Sequence, residues 1–262
     1  MRANAVKRKL RAGQPSVGTW LSLGSITAGR FMARAGFDWL TVDIEHTLVG
    51  METATHMFAT IADAGCVPLA RVPSGRHDHI KRVLDNGAMG VVVPMVNSRA
   101  EAAVSACLYP PRGNRSVGGS VHALNFAATA VDYFAKADDE LLIILQCEHI
   151  DAVNAADEIF SVPGIDAVFV GPNDLAASMR GPDGSPPTAE ATARAMRAIL
   201  EACKRHKVPA GVHCYSAAEA QAKIADGWQF IALGSELKMM LEGAAAVLKP
   251  LRAGTAGETA KY

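Results

Sequence analysis

Eight short apolar runs recur along the chain, and almost every one is followed by a stretch of helical periodicity. The runs cover residues 17–21, 39–42, 67–72, 90–95, 141–146, 167–170, 209–213 and 230–233. They are rich in β-branched and aliphatic side chains and read as strands covered on both faces. The intervening segments 26–35, 51–64, 79–86, 99–108, 189–206, 217–226 and 235–248 carry apolar residues at helical spacing. Several of them stop at a glycine, as at Gly36, Gly65 and Gly87. Strict alternation at this length predicts an α/β fold, a (β/α)₈ TIM barrel. A doubly wound open sheet is the competing arrangement. It wants a G-x-G-x-x-G turn after the first strand, and Leu21-Ser22-Leu23-Gly24-Ser25 does not supply one.

Half of the 262 residues are hydrophobic, enough for one large core. No shift in composition marks a linker, so residues 1–252 read as one domain and the small, polar stretch 253–262 as a disordered tail. The 26 basic and 26 acidic residues cancel, which leaves no whole-chain field for nucleic acid or an anionic membrane. The five cysteines are scattered and form no C-x-x-C, as expected of reduced thiols in the cytoplasm. The basic N-terminus lacks a following apolar stretch and reads as a surface helix rather than a signal peptide. Two Gly/Pro-rich interruptions, 109–119 and 180–187, read as loops, the second as a lid.

In a barrel, chemistry collects at the C-terminal ends of the strands. Here the second strand runs into Asp43, Glu45 and His46, and the third ends at Arg71. The fifth reaches Gln146 and Glu148, the sixth Asp174, and the seventh His213. The opposite ends carry mostly Gly, Ala and Pro, with Asp38, Asp139, Glu140 and Asp166 as exceptions. Two carboxylates at successive strand ends, Glu148 and Asp174, suit a hard cation such as Mg²⁺ or Mn²⁺. Either could instead form an ion pair, and Asp174 could cap a helix. Arg71 can hold a carboxylate or an enolate oxygen, or it can serve in a structural ion pair. His46 has the chemistry of a general base near neutral pH, although a lone histidine is more often a surface residue. His56, His77, His79, His122 and His206 read as such surface bystanders, and His149 and His213 stay open. Lys81, Lys136, Lys204, Lys207, Lys223, Lys238 and Lys249 all fall on helices or turns, so no Schiff-base lysine is evident. Gly118-Gly119-Ser120 lacks phosphate-loop spacing.

Seven motifs then fall in a recognisable order: Asp43-Ile44-Glu45-His46, Arg71-Val72-Pro73, Asp85-Asn86-Gly87-Ala88, Val93-Pro94-Met95-Val96, Tyr109-Pro110-Pro111-Arg112-Gly113, Gln146-Cys147-Glu148 and Gly171-Pro172-Asn173-Asp174-Leu175. In this the chain resembles the HpcH/HpaI aldolases, metal-dependent enzymes that cleave or form 4-hydroxy-2-oxo acids through an enolate of pyruvate or hydroxypyruvate. The resemblance implies a small-molecule 2-oxo acid and an aldehyde as substrates. It also implies a divalent metal (Mg²⁺, Mn²⁺ or Co²⁺) on Glu148 and Asp174, Arg71 at the enolate, and His46 as base. Asp85 would raise the basicity of His46, and Gln146, Asn173 and Asp174 would contact substrate. Asp43 would support metal-bound water from behind, and Glu45 would orient the turn. A homo-oligomer, trimer or hexamer, with an exchanged C-terminal helix is further implied. Asp85 follows a helix, hence lies on the wrong rim, and is expected either to reach His46 from a neighbouring subunit or to mark a departure from ideal topology. Cys147, His149, Asn173 and His213 depart from the usual pattern and leave the acceptor open. Oxaloacetate decarboxylation, with or without a further bond-forming step as in macrophomate synthase, uses the same enolate. A barrel kept only for binding is the non-catalytic alternative.

Overall fold

The computed structural model describes residues 1–98, 100–118 and 121–251. Eight parallel strands close into a barrel in sequence order, and each pairs with its sequence neighbours. They are β1 (Ser16–Leu21), β2 (Trp39–Asp43), β3 (Val67–Arg71), β4 (Gly90–Val93), β5 (Leu142–Gln146), β6 (Ala167–Val170), β7 (Ala210–Cys214) and β8 (Phe230–Ser235). The helices are α1 (Ala5–Arg11), α2 (Ile26–Met32), α3 (Met51–Asp63), α4 (His77–Asp85), α5 (Ala100–Cys107), α6 (Ala130–Glu140), α7 (Ile150–Asn154), α8 (Ala156–Phe160), α9 (Pro172–Ser178), α10 (Ala189–His206), α11 (Ala217–Ala225) and α12 (Glu236–Leu248). The expected barrel is present, and the open sheet is excluded. The tail at 253–262 lies outside the described residues.

Local differences have local causes. The fourth strand stops at Val93 because Pro94 has no N–H for the ladder, and Met95 then takes a positive φ of 51°. That turn points the Met95 N–H at Glu148, in the mouth of the barrel. The long excursion after α5 contains a 3₁₀ turn (Val121–Phe126) and α6.

The N-terminal helix is not a plain surface helix. It closes the bottom of the barrel. Val6, Lys7 and Leu10 are buried, and Lys7 Nζ lies 2.9 Å from Asp166 Oδ2 and donates to the Leu141 carbonyl. Lys9 pairs with Asp38, and Glu140 accepts from the Asn4 N–H. These acids at the N-terminal strand ends therefore hold the plug, a stabilising role on the face away from the barrel's C-terminal mouth.

The barrel interior is aromatic on one side. Trp39 of β2 stacks on Phe230 of β8 at 4.2 Å, and Phe230 meets Phe169 of β6 edge-on at 5.9 Å. These rings come from alternate strands and meet across β1 and β7, where Gly18 and Gly211 carry no side chain. A Cβ on Gly18 would sit 2.0 Å from the Trp39 ring, inside the atoms it would touch.

α12 is two-sided in a different sense. Its first turn is fixed to its own barrel, since buried Glu236 accepts from the Ser22 and Leu23 N–H groups. Further along, Met240, Leu241, Val247 and Leu248 are exposed.

Gly18→Ala is expected to cost about 3 kcal/mol or more, because the added methyl overpacks a ring that has no room to move. Urea unfolding would read this directly. Trp39→Leu in the same background should return part of the loss, since it empties the space the methyl needs.

Candidate active site

The site is built outward from one pair. Asp43 and Arg71 end adjacent strands and are direct partners in the β2–β3 register. That places a carboxylate and a guanidinium side by side, and they form a fork: Arg71 Nε to Asp43 Oδ1 at 2.9 Å and Nη2 to Oδ2 at 2.6 Å. Burial works against the Arg71 charge, but the Asp43 bonds outweigh it and lift its pKa above the ordinary value. Asp43 Oδ1 also accepts from the backbone N–H groups of Glu45 and His46. One carboxylate thus sets both the arginine and the loop that bears the histidine. Glu45 Oε2 lies 3.3 Å from Arg71 Nε and 3.6 Å from His46 Nε2. Glu45 therefore does more than orient its turn: it links the guanidinium to the imidazole. The first partner of Asp43 is Arg71. The His46 ring stands on the rim, 65 % exposed.

A second pole is acidic. Glu148 is buried, accepts from the Met95 N–H at 2.9 Å through Oε1, and takes Gln146 Nε2 at 2.6 Å on Oε2. Asp174 sits in the first turn of α9, whose N-cap is Gly171, and so it is not the cap of that helix. A Cβ on Gly171 would lie 2.6 Å from Glu148 Oε2 and 3.6 Å from Asp174 Oδ2. Both carboxylates therefore face one small space that only glycine leaves open. Burial, followed by the negative charge of Asp174 and then Glu45, pushes the Glu148 carboxyl up to about 7 despite the Met95 hydrogen bond. Such a pole favours a bound cation. Among the described residues no group of three or more His, Cys, Asp or Glu side chains gathers as a metal cage. Two carboxylates with open positions fit a hard divalent ion that keeps water and substrate as its other ligands. The Gln146 Oε1 atom is buried without a hydrogen-bond partner and remains an unused acceptor at this pole.

Asp43 and Arg71 of the first pole and Gln146, Gly171 and Asp174 of the second line a cavity of about 210 Å³ at the C-terminal mouth of the barrel. Its remaining wall was not evident in the sequence. The Arg71 guanidinium lies over the Trp20 ring, 4.6 Å from its centroid. The Trp20 indole N–H donates to His213 Nδ1 at 3.1 Å. That bond fixes His213 as the Nε2–H tautomer, and burial, with the charges of Lys238 and Arg71, holds its pKa down at about 4. His213, left open by the sequence, thus belongs to the site as a neutral ring. His149 does not, since it caps α7. Asn173 Oδ1 accepts from the Tyr215 hydroxyl at 3.0 Å. Lys238, Ser22 and Ser235 complete the wall.

Asp85 lies elsewhere. It ends α4, on the rim opposite His46, and its partner within the chain is Arg115, with Nη2 to Oδ1 at 2.7 Å. The ideal barrel topology removes one of the two explanations considered for it. Arg115 is fully buried between the Tyr109 and Tyr133 rings. His122, expected on the surface, is buried against the Tyr133 face at 4.4 Å. Among the described residues, neither of its ring nitrogens has a hydrogen-bond partner. Burial and the charge of Arg115 hold its pKa down at about 4.

A cation space beside a fixed guanidinium is what a barrel enzyme needs to draw negative charge onto a carbonyl oxygen. That requirement defines a class, the lyases that make and break carbon–carbon bonds next to a carbonyl. A family model described as HpcH/HpaI aldolase/citrate lyase matches residues 16–243. The chain belongs to this family, and it is an aldolase-type lyase. It is 34% identical over 260 residues to a hydroxypyruvate/pyruvate aldolase of Agrobacterium fabrum, covering 98% of this chain and 97% of that protein. It is 35% identical over 246 residues to a 4-hydroxy-2-oxo-heptane-1,7-dioate aldolase of Shigella sonnei, covering 93% of each. Among solved structures, an HpcH/HpaI aldolase/citrate lyase family protein of Burkholderia cenocepacia superposes with a TM-score of 0.86 at 32% identity, covering 95% of this chain and all of that one.

The buried His122 carries a stability consequence. Its folded pKa of about 4 lies below the ordinary 6.5, so the unfolded chain takes up a proton first as pH falls. Its contribution is complete above pH 6.5 and is lost progressively toward pH 4, a slope worth roughly 3 kcal/mol at most. Urea unfolding at pH 7.5 and pH 5 should show this loss in the wild type and a smaller one in His122→Phe.

Proposed function

We propose that this protein is a divalent-metal-dependent aldolase that cleaves and forms 4-hydroxy-2-oxo acids, with pyruvate or hydroxypyruvate as the donor half. The observation that carries the reading is the meeting of Glu148 and Asp174 beside Gly171, where Gly171 and Asp174 line the same cavity as the Asp43-clamped Arg71. Glu148 and Asp174 would hold the ion, Mg²⁺, Mn²⁺ or Co²⁺. When bound, the ion supplies Lewis-acid polarisation of the keto group.

The chain's own residues do the rest. Arg71 presents a guanidinium that Asp43 and Trp20 hold, and it stabilises the oxygen that becomes negative in the enolate. Gln146 keeps its Oε1 free to meet substrate, while its Nε2 steadies Glu148. Asn173 and Asp174, at the start of α9, lie where a substrate carboxylate meets backbone N–H groups. His46, exposed on the rim next to Glu45, moves the proton of the aldol hydroxyl, directly or through water.

His46 needs a partner to raise its basicity, and we assign that role to Asp85 of a second subunit. Arg115 takes Asp85 through Oδ1, and among the described residues Oδ2 has no hydrogen-bond donor; the side chain is 20 % exposed, beside Gly118. The exposed apolar residues on the second half of α12 support exchange of that helix in a trimer or hexamer. Five free and buried cysteines suit the cytoplasm, and no described helix is long and apolar enough to cross a membrane.

The test of the metal assignment is release of pyruvate from a 4-hydroxy-2-oxo acid and from oxaloacetate, before and after chelation and with each ion restored. Activity should vanish with chelator and return with metal, and the hydroxy-oxo acid should be the better substrate. Gly171→Ala drives a methyl against Glu148 Oε2, the movable end of a side chain. It should lower metal affinity by about tenfold or more while leaving the thermal midpoint nearly in place. Unchanged metal affinity in this variant would reject the ligand pair.

Assignment of Asp85 is tested by mixing. His46→Ala and Asp85→Asn should each be nearly inactive as pure oligomers. Co-expressed, they should recover activity, because a mixed assembly contains sites with an intact His46 and an intact Asp85. No recovery in verified mixed oligomers would reject the pairing of His46 with Asp85 of a second subunit.

A further inference from the structure

The cavity wall contains a cation that the steps above do not use. Lys238 occupies the third position of α12, one turn from Ser235, whose hydroxyl caps the Lys238 N–H at 3.2 Å. Its ammonium lines the cavity together with Ser22, Ser235 and His213. The head group is positioned: it donates to the Tyr215 carbonyl at 3.0 Å and lies 5.1 Å from the centroid of the Tyr215 ring.

Three features make this an unfavourable place for a lysine that had only the fold to serve. A positive charge in the first turn of a helix opposes the helix dipole. The nearest carboxylate, Glu242 at 3.6 Å, is two-thirds exposed and sits in the weaker lysine-first order. Arg71, the other cation on the cavity wall among the described residues, has its charge taken up by Asp43 and Glu45. Lys238 is thus the cation of this cavity whose charge is left largely uncompensated, and an ammonium has donors to spare beyond the single Tyr215 bond. His213, its Nδ1 taken by the Trp20 N–H, lines the same cavity as both cations.

We infer that Lys238 is a specificity residue that binds a terminal anionic group, carboxylate or phosphate, on the aldehyde half of the substrate, with Ser22 and Ser235 flanking it. The inference rests on the aldolase reading and names what that reading leaves open, the charge of the acceptor. Lys238 takes no part in bond making, because the donor half is held at the Glu148, Asp174 and Arg71 end.

The experiment measures kcat/KM for addition of pyruvate, with metal present, to two matched pairs of aldehydes. A four-carbon aldehyde ending in carboxylate is compared with butanal, and glyceraldehyde 3-phosphate with glyceraldehyde. Wild type, Lys238→Met and Lys238→Arg are used, with thermal midpoints to verify folding. The wild type should prefer a charged member of a pair. Lys238→Met should lose about tenfold more on that member than on its neutral match, the scale of one charge-assisted hydrogen bond. Lys238→Arg should recover part of the difference, and the KM for pyruvate should stay close to the wild-type value. The pair that shows the effect identifies carboxylate or phosphate. Equal losses on charged and neutral aldehydes, or no charged preference in the wild type, would overturn the inference while leaving the aldolase reading intact. A wild type that turns over none of the four would bring down both.

Discussion

The pairing of Asp43 with Arg71 is the contact on which the rest of the site depends. It follows from register alone: two parallel strands end together, one in a carboxylate and one in a guanidinium. Every further element is hung from it. Asp43 fixes the backbone of Glu45 and His46, and its carbonyl accepts from the Thr47 hydroxyl. Arg71 presses on Trp20, and Trp20 selects the tautomer of His213. A neutral fork in water would hold these groups weakly. Here Asp43 is 4 % exposed, and a charged pair joined by two hydrogen bonds resists rearrangement, because separating it would strand a buried charge.

The two poles of the cavity answer each other. At one, Arg71 is compensated twice. At the other, Glu148 and Asp174 are crowded, and the Glu148 carboxyl is driven toward neutrality by burial and by its neighbours. The imbalance is local, since the chain as a whole is neutral. Such a carboxylate remains where it is because Gln146 and the Met95 N–H hold it, and the Met95 N–H is aimed by a left-handed residue directly after Pro94. The strained turn at the end of β4 and the acid at the end of β5 are therefore parts of one arrangement. Below them, the Trp39, Phe230 and Phe169 rings form the floor, and glycines on the intervening strands give the rings their room.

The barrel was legible in the sequence because its signal is periodic and repeated, so small errors at single boundaries cancel. Asp43, Arg71, Glu148 and Asp174 were legible as a rim because a strand's C-terminal end can be read from the strand alone. What escaped were groups whose role depends on reach between elements far apart in the chain. Lys238 looked like an ordinary helical lysine, and only the closure of β8 against β1 and β7 brings it over Tyr215. Trp20 looked like core, since a strand pattern does not reveal that a guanidinium rests on its face. His122 looked like surface because its burial is made by Tyr133 and Arg115, on a loop too irregular to have a predicted face.

Asp85 shows how a correct rule can point beyond the single chain. The rule that residues after a helix lie on the bottom of a barrel held, and it separated Asp85 from His46. Yet Asp85 is not treated by the fold as an ordinary surface acid. A fully buried arginine holds it, and among the described residues Nη1 of that arginine has no partner. Burying that guanidinium is costly, and it takes the aspartate, 20 % exposed, through Oδ1. The same chain carries an exposed imidazole at its other rim and exposed apolar residues along α12. The imidazole and the Arg115-held carboxylate lie on opposite ends of one barrel, so within one chain neither reaches the other.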